Sequence, residues 1–231
     1  MNTTTVNSHE SVETRERLLE AAGRLFAERG YESTSVRDIT TEADCNVAAV
    51  NYHFGGKENL YIDAFRVLLA ELRDIRIETI RRDMAGVDDP TLEYFLESFA
   101  EGFMDPLVGD SRGRRFMILI NREMADPRLP REMFVEEFLE PMMSEAGQAL
   151  MSVVPSLDWS AARLSLMSMV SQLLHALMIR KHFNTEGGPA VVPGDMAAHL
   201  VHIVRFTAGG IRACTMERSG QPMRSGQGSE A

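Results

Sequence analysis

The sequence predicts an all-α fold. Apolar residues recur at i, i+3, i+4 and i+7 through nearly every segment, the spacing of an amphipathic helix. No segment shows the alternation of a half-buried strand. The periodic segments are separated by stretches rich in Gly, Pro and Asp, such as "AGVDDP", "DPRLP" and "NTEGGPAVVPG", which read as loops.

Residues 1–12 are polar and aperiodic and read as a disordered tail. From Glu13 onward Leu18, Leu19, Ala22, Leu25 and Phe26 fall on one stripe, which predicts a first helix closed by Gly30. Ser35 with Asp38 three residues on has the form of a capping box, and Val36, Ile39 and Ala43 give a short buried stripe behind it. "DCN" then breaks the chain. Asn46 is placed to cap a third short helix, Val47–His53, which Gly55-Gly56 ends. Lys57 opens a long fourth helix running to the region of Asp83. Thr91–Phe103 and Arg114–Ala125 read as helices with a break at "DPLVGDSRG". Met133–Val153 is one amphipathic stretch that Pro141 must kink or split. Trp159–Phe183 and Asp195–Cys214 are the last two helices. The tail, 215–231, has a disordered composition. The chain therefore reads as a small domain over 13–60 joined to a larger helical one over 61–214.

Composition limits the function. Of 231 residues 44% are apolar, ample for a core. No uninterrupted apolar run reaches the roughly 18 residues of a membrane span, and "MNTTTVNSHESVETRERL" lacks the charged and apolar regions of a secretory signal. The two cysteines, Cys45 and Cys214, are far apart and lack metal-type spacing, which fits a reducing cytoplasm. Net charge is −10, and acidic residues outnumber basic ones even in the first sixty positions. Bulk charge thus opposes a nucleic-acid role, so such a role must rest on a local site. No GxSxG, P-loop, GxGxxG or HExxH motif is present; the expectation is neither an enzyme nor a cofactor protein. His199 with His202, and His175 with His182, have spacings open to zinc or to solvated and interface positions; no metal is assigned. Cys45 is open to a redox role or to that of a small apolar turn residue, and the second is preferred.

The third helix carries the local site. Two short helices joined by a tight turn suggest a helix-turn-helix. Cys45, Val50 and Phe54 can face the first two helices, leaving Ala48, Ala49, Asn51, Tyr52 and His53 towards solvent. Small residues let a helix approach a groove floor, Asn can bond base edges, and Tyr and His can donate to phosphates. Lys57 stands at a helix N-terminus, where the dipole prefers an anion; a cation there is unfavourable for the helix and useful for a phosphate.

The stretch "RERLLEAAGRLFAERGYESTSVRDITTEADCNVAAVNYHFGGKENLY" resembles the DNA-binding domain of TetR-family transcriptional regulators. The resemblance rests on Phe26, Gly30 and Tyr31, then Val36, Ile39 and Ala43, then Tyr52-His53-Phe54 and Lys57-Glu58-Leu60 taken together, and covers about a fifth of the chain. The remainder looks like that family's variable helical half, and "INREMADPRLPREMFVEEFLEPM" is similar to one subfamily's C-terminal domain. By position, the resemblance implies base contact from Arg37, Val47, Ala48 and Asn51, and backbone contact from Ser35, Ala49, Tyr52, His53 and Lys57. Asn51 stands where the family more often has Tyr, and Ala49 lacks the hydroxyl often found there. Val47 is open to base contact or to leaning on the core.

The resemblance also implies a homodimer through 159–183 and 195–214, double-stranded operator DNA as partner, and a hydrophobic or amphipathic small-molecule effector. Trp159–Phe183 is too apolar to leave exposed in a monomer, which points the same way. Phe99, Phe103, Phe116, Ile120, Met124, Phe134, Met143, Met167 and Met178 are the candidate lining of an effector pocket, Met being adaptable to varied ligands. The function expected is a repressor released from a palindromic operator by that effector. The alternatives are an activator, a ligand-independent regulator, or a helical dimer whose DNA site has decayed.

Overall fold

Helical periodicity is realised as helix throughout. The computed structural model describes residues 3–108, 111–183 and 195–220. Among them the elements are α1 (Thr3–Arg29), α2 (Val36–Glu42), α3 (Ala48–Phe54), α4 (Lys57–Ala85), α5 (Leu92–Val108), α6 (Ser111–Ala125), a π-helical turn (Met133–Leu139), α7 (Glu140–Val153), α8 (Trp159–Phe183) and α9 (Met196–Gly220). No strand occurs among the described residues.

The boundaries depart from expectation where polar sequence hides a helix. α1 begins at Thr3, ten residues before the apolar stripe, so residues 3–12 are helical where a disordered tail was expected. Their sequence is polar and lacks an apolar period, so periodicity could not reveal them. α9 likewise continues six residues past Cys214; the rest of the expected tail lies outside the described residues. α5 runs to Val108 through Pro106, where a break was expected at Asp105. Pro106 has no N–H for the Gly102 carbonyl, and the helix ends two residues later.

The chain divides into two compact units. One comprises Met1–Arg76 and Met104–Met142, the other Ile77–Phe103 and Met143–Ala231. In the first, α1 packs on α2, α3 and α6. Its core contains Leu18, Ala22, Leu25, Phe26, Ile39, Val50, Phe54, Leu60 and Phe65, all buried. Each such aliphatic or aromatic side chain contributes about 1.5–3 kcal/mol on burial. Arg15 bridges the three helices at the other side: its guanidinium pairs with Asp63 at 2.8 Å and lies 5.2 Å from the Phe54 ring centre.

Pro141 splits the seventh segment as expected, and the manner of the split is informative. Residues 133–139 form a π-helical turn and α7 starts at Glu140. Lacking an N–H, Pro141 cannot serve the carbonyl of Glu137 four residues back. That carbonyl instead accepts a 2.7 Å hydrogen bond from the Arg73 guanidinium of α4. Gly113 allows α6 to start against the end of α5: a Cβ there would stand 1.9 Å from the Pro106 carbonyl oxygen.

In the second unit α8 and α9 form the most extensive helix pair. Ala162, Leu166, Met169, Leu173 and Ala176 of α8 are buried, as are Ile203, Val204, Ala208 and Ile211 of α9. Phe95, Phe99 and Phe103 stack along α5 at 6.1 and 6.5 Å. Arg212 of α9 holds Glu93 at 2.6 Å and Arg81 of α4 holds Glu145 at 2.7 Å. Leu164, Met167 and Met178 of α8 and Val201 and Phe206 of α9 stay exposed. Residues Trp159–Ile179 are long and apolar enough to cross a membrane by length and composition alone, although polar residues break their apolar run. One stripe of that helix, Ala162, Leu166, Met169, Leu173 and Ala176, is buried, and Ser160, Ser165, Ser168, Ser171, Gln172 and His175 interrupt its apolar run.

Candidate nucleic-acid interface

The expected site is built by α2, the turn after it, α3 and the start of α4. Ser35 caps α2 as a capping box: Asp38 N–H donates to its hydroxyl at 3.1 Å and Ser35 N–H to the Asp38 carboxylate at 2.8 Å. Those bonds to Ser35 hold the Asp38 carboxyl below its usual range. The Ser35 hydroxyl also donates to Asp38, at 2.5 Å, so both donors of this residue are engaged and a phosphate would have to displace one.

The turn has five residues. Asp44 takes the left-handed conformation, φ 49°, which Asp tolerates better than most residues. Asn46 is the capping side chain, as expected, but it receives Ala48 N–H at 2.8 Å and α3 begins one residue late. Cys45 is half-buried and its thiol donates to the Ala43 carbonyl at 3.1 Å. Gly55, φ 75°, ends α3 by returning its N–H to Asn51 O at 3.0 Å.

α3 shows two faces. Val50 and Phe54 are buried, whereas Ala48 and Asn51 are exposed, Ala49 and His53 half-exposed, and Tyr52 is 80% exposed. Val47 is 50% exposed and precedes the helix. Arg37 is exposed on α2 and makes no ion pair among the described residues. These side chains form a surface of small, amide and phenolic groups with one unpaired guanidinium beside it.

Lys57 begins α4 and is half-buried. Its ammonium lies 4.0 Å from the Tyr31 ring centre, and the Arg128 guanidinium lies 4.6 Å from the same centre. Burial lowers the Lys57 pKa, with Glu32 opposing and Arg128 reinforcing the change. Burial likewise raises the pKa of Tyr31, aided by Glu58. Tyr31 packs edge-on to Tyr61 at 5.1 Å and against Phe26 at 5.8 Å. The Tyr61 hydroxyl donates to Glu123 at 2.9 Å; burial and that bond raise its pKa. The other Glu123 oxygen accepts the backbone N–H groups of Arg128 and Leu129, the latter at 2.6 Å. Sequence reading gave Glu123 and Arg128 no role: both lie in the stretch similar to one subfamily's C-terminal domain, far in sequence from the residues they meet.

The candidate pocket residues occupy different environments. Phe99, Phe103 and Met143 are core residues of the second unit and Phe116 of the first. Ile120 and Phe134 are half-buried in the first unit. Met167 and Met178 are part-exposed on α8, on the stripe that carries Leu164, because that stripe faces away from the α8–α9 seam. The Met124 side chain lies outside the described residues, as does His182. Among the described residues no group of three His, Cys, Asp or Glu could hold a metal ion. A groove of about 460 Å³ in the first unit is lined by none of these residues but by α1, α4 and α6, including Leu19, Gly23, Val67 and Leu119.

Comparison with known proteins agrees with this architecture. The chain is 45% identical over 143 residues to YttP of Bacillus subtilis, which carries the name of an HTH-type transcriptional regulator; the match covers 59% of this chain and 66% of that one. It is 38% identical over 61 residues to the HTH-type transcriptional repressor AcnR of Corynebacterium glutamicum, covering 26% and 32% of the two chains. The chain thus spans less than two thirds of the length of these relatives. Among solved structures, the transcriptional regulator FadR from Bacillus subtilis in complex with stearoyl-CoA superposes with a TM-score of 0.63 at 19% identity, over 84% of this chain and 98% of that one. A family model for the C-terminal domain of the HTH-type transcriptional dual regulator CecR matches residues 92–211. One described as bacterial regulatory proteins, tetR family, matches residues 18–64. With both halves so matched, the chain belongs to the TetR family.

Proposed function

We propose that the chain is a sequence-specific DNA-binding repressor that leaves a palindromic operator when a small molecule binds. The observation that carries this reading is α3: a short helix buried on one face by Val50 and Phe54 and presenting Ala48, Asn51 and Tyr52 on the other. A helix with small residues at its start can enter a major groove, while an amide reads base edges and a phenol reaches the backbone. Two copies held about 34–36 Å apart fit successive turns of B-DNA. The exposed apolar stripes of α8 and α9 supply the homodimer face. The repressor name of AcnR supports the direction of control. The effector is hydrophobic or amphipathic, and the acyl thioester held by the FadR neighbour is one such molecule. It acts only through its differential affinity for the two spacings of the reading helices. A dual role, with activation at some sites, is the second reading, favoured by the name of the relative whose C-terminal domain matches.

The interface residues divide into readers and holders. Arg37, exposed and unpaired, is the main guanine reader, since α3 lacks Lys and Arg altogether. A bidentate Arg–guanine contact discriminates by about 1–3 kcal/mol. Randomised-site selection with the wild type should yield a two-fold symmetric motif. Arg37→Ala should flatten one symmetric pair of positions, and Asn51→Ala a different pair. An unchanged motif for Arg37→Ala would remove this residue from the readers, and no selected motif at all would remove the DNA-binding reading.

A further inference from the structure

We infer that Tyr31 and Arg128 are positioning residues that hold the Lys57 ammonium ready for a DNA phosphate: Tyr31 by giving it a ring to rest on, Arg128 by engaging Glu32, the carboxylate that would otherwise neutralise it. This rests on the reading of Lys57 as a phosphate contact. A lysine side chain has wide rotamer freedom, which an ordered contact must remove. Here the ammonium already lies 4.0 Å from the Tyr31 ring centre. A ring face attracts the charge without using up all three N–H donors, so donors remain for a phosphate. Tyr31 is itself held by Phe26 and Tyr61, and the ring is therefore a fixed platform.

The charge balance explains Arg128. Glu32 is close enough to Lys57 to raise its pKa against the effect of burial. A Lys57–Glu32 ion pair would compete with phosphate for the same ammonium. Arg128 engages Glu32 at 2.8 Å and also Asp126 at 2.9 Å. Its position is secured at the main chain, because Glu123 receives the N–H groups of Arg128 and Leu129 while tied to Tyr61. A residue more than seventy positions from Lys57 in sequence thus keeps that lysine available.

The test uses the full chain and the duplex that the wild type selects from a randomised pool, titrated over salt concentration. Lys57→Ala should lower the salt slope by about one unit. Arg128→Gln should weaken binding about two- to five-fold, the worth of one exposed cation contact. Adding Glu32→Gln to Arg128→Gln should restore it, a rescue that a merely structural role would not give. Tyr31→Leu should weaken binding by a similar factor and Tyr31→Phe should not; neither Tyr31→Leu nor Arg128→Gln should matter in the Lys57→Ala background. Only two lysines are present, Lys57 and Lys181, so labelled lysine gives two assignable NMR signals. That of Lys57 should be displaced by the ring current and lose the displacement in Tyr31→Leu. No rescue by Glu32→Gln, equal losses in the Lys57→Ala background, or tighter binding by Tyr31→Leu would each overturn the positioning role. An unchanged salt slope for Lys57→Ala would instead overturn the phosphate reading itself.

Discussion

Leu164→Glu is expected to leave the chain a 25.8 kDa monomer by light scattering, where the wild type, as the proposed homodimer, should scatter as twice that mass. Leu164 is 66% exposed on α8, so the substitution spares the fold of the single chain. In an isologous dimer the same change enters the interface twice. Each carboxylate loses its water without gaining a cation, at a cost of about 3 kcal/mol or more. Separate monomers engage one half-site each, and affinity for the full operator should fall on the order of 100-fold or more. Helical content by circular dichroism should stay unchanged. A variant that remains a dimer places the interface elsewhere on the chain.

Gly113→Ala is expected to lower stability by about 3 kcal/mol, which for a chain of this size lowers Tm by roughly 6–12 °C. The added methyl would meet the Pro106 carbonyl oxygen at 1.9 Å and the Leu107 Cα at 2.8 Å. Both are backbone atoms, so a helix must move rather than a rotamer. Gly23→Ala is the natural control. It lies inside α1 with nothing within 4 Å of its would-be Cβ. It should raise stability by about 0.5–1 kcal/mol through helix propensity alone. Thermal melts of the two variants check the pair. Equal melting temperatures would mean that α6 gives way freely at its start.

The helix-turn-helix was legible because each part of it has a local cause. The Ser35–Asp38 box, the Asn46 cap and the Gly55 terminus are bonds within five residues of their origin, and sequence spacing reports them directly. Val50 and Phe54 were legible as the inner face of α3 because four residues make about one turn. The helical state of residues 3–12 was hidden, since a polar sequence shows no apolar period. The surroundings of Lys57 were hidden for another reason. Tyr31 meets it from the far side of α2 and α3 in sequence, and Arg128 arrives from the loop after α6. Such meetings are decided by packing between distant segments, which no short-range pattern encodes. The methionines were ambiguous throughout: Met143 is core and Met178 is surface, yet both sit at apolar helical spacing.

The bond from Arg73 to the Glu137 carbonyl makes two distant positions serve one acceptor. Pro141 removes a main-chain donor, and a side chain from a helix sixty-eight residues earlier in sequence supplies the replacement. Losing the arginine alone leaves that exposed carbonyl to water. Restoring an N–H at 141 alone gives that carbonyl a second donor and favours straightening of the π-helical turn. The effects of changing Arg73 and Pro141 are therefore expected to be non-additive in a double-mutant cycle read on stability.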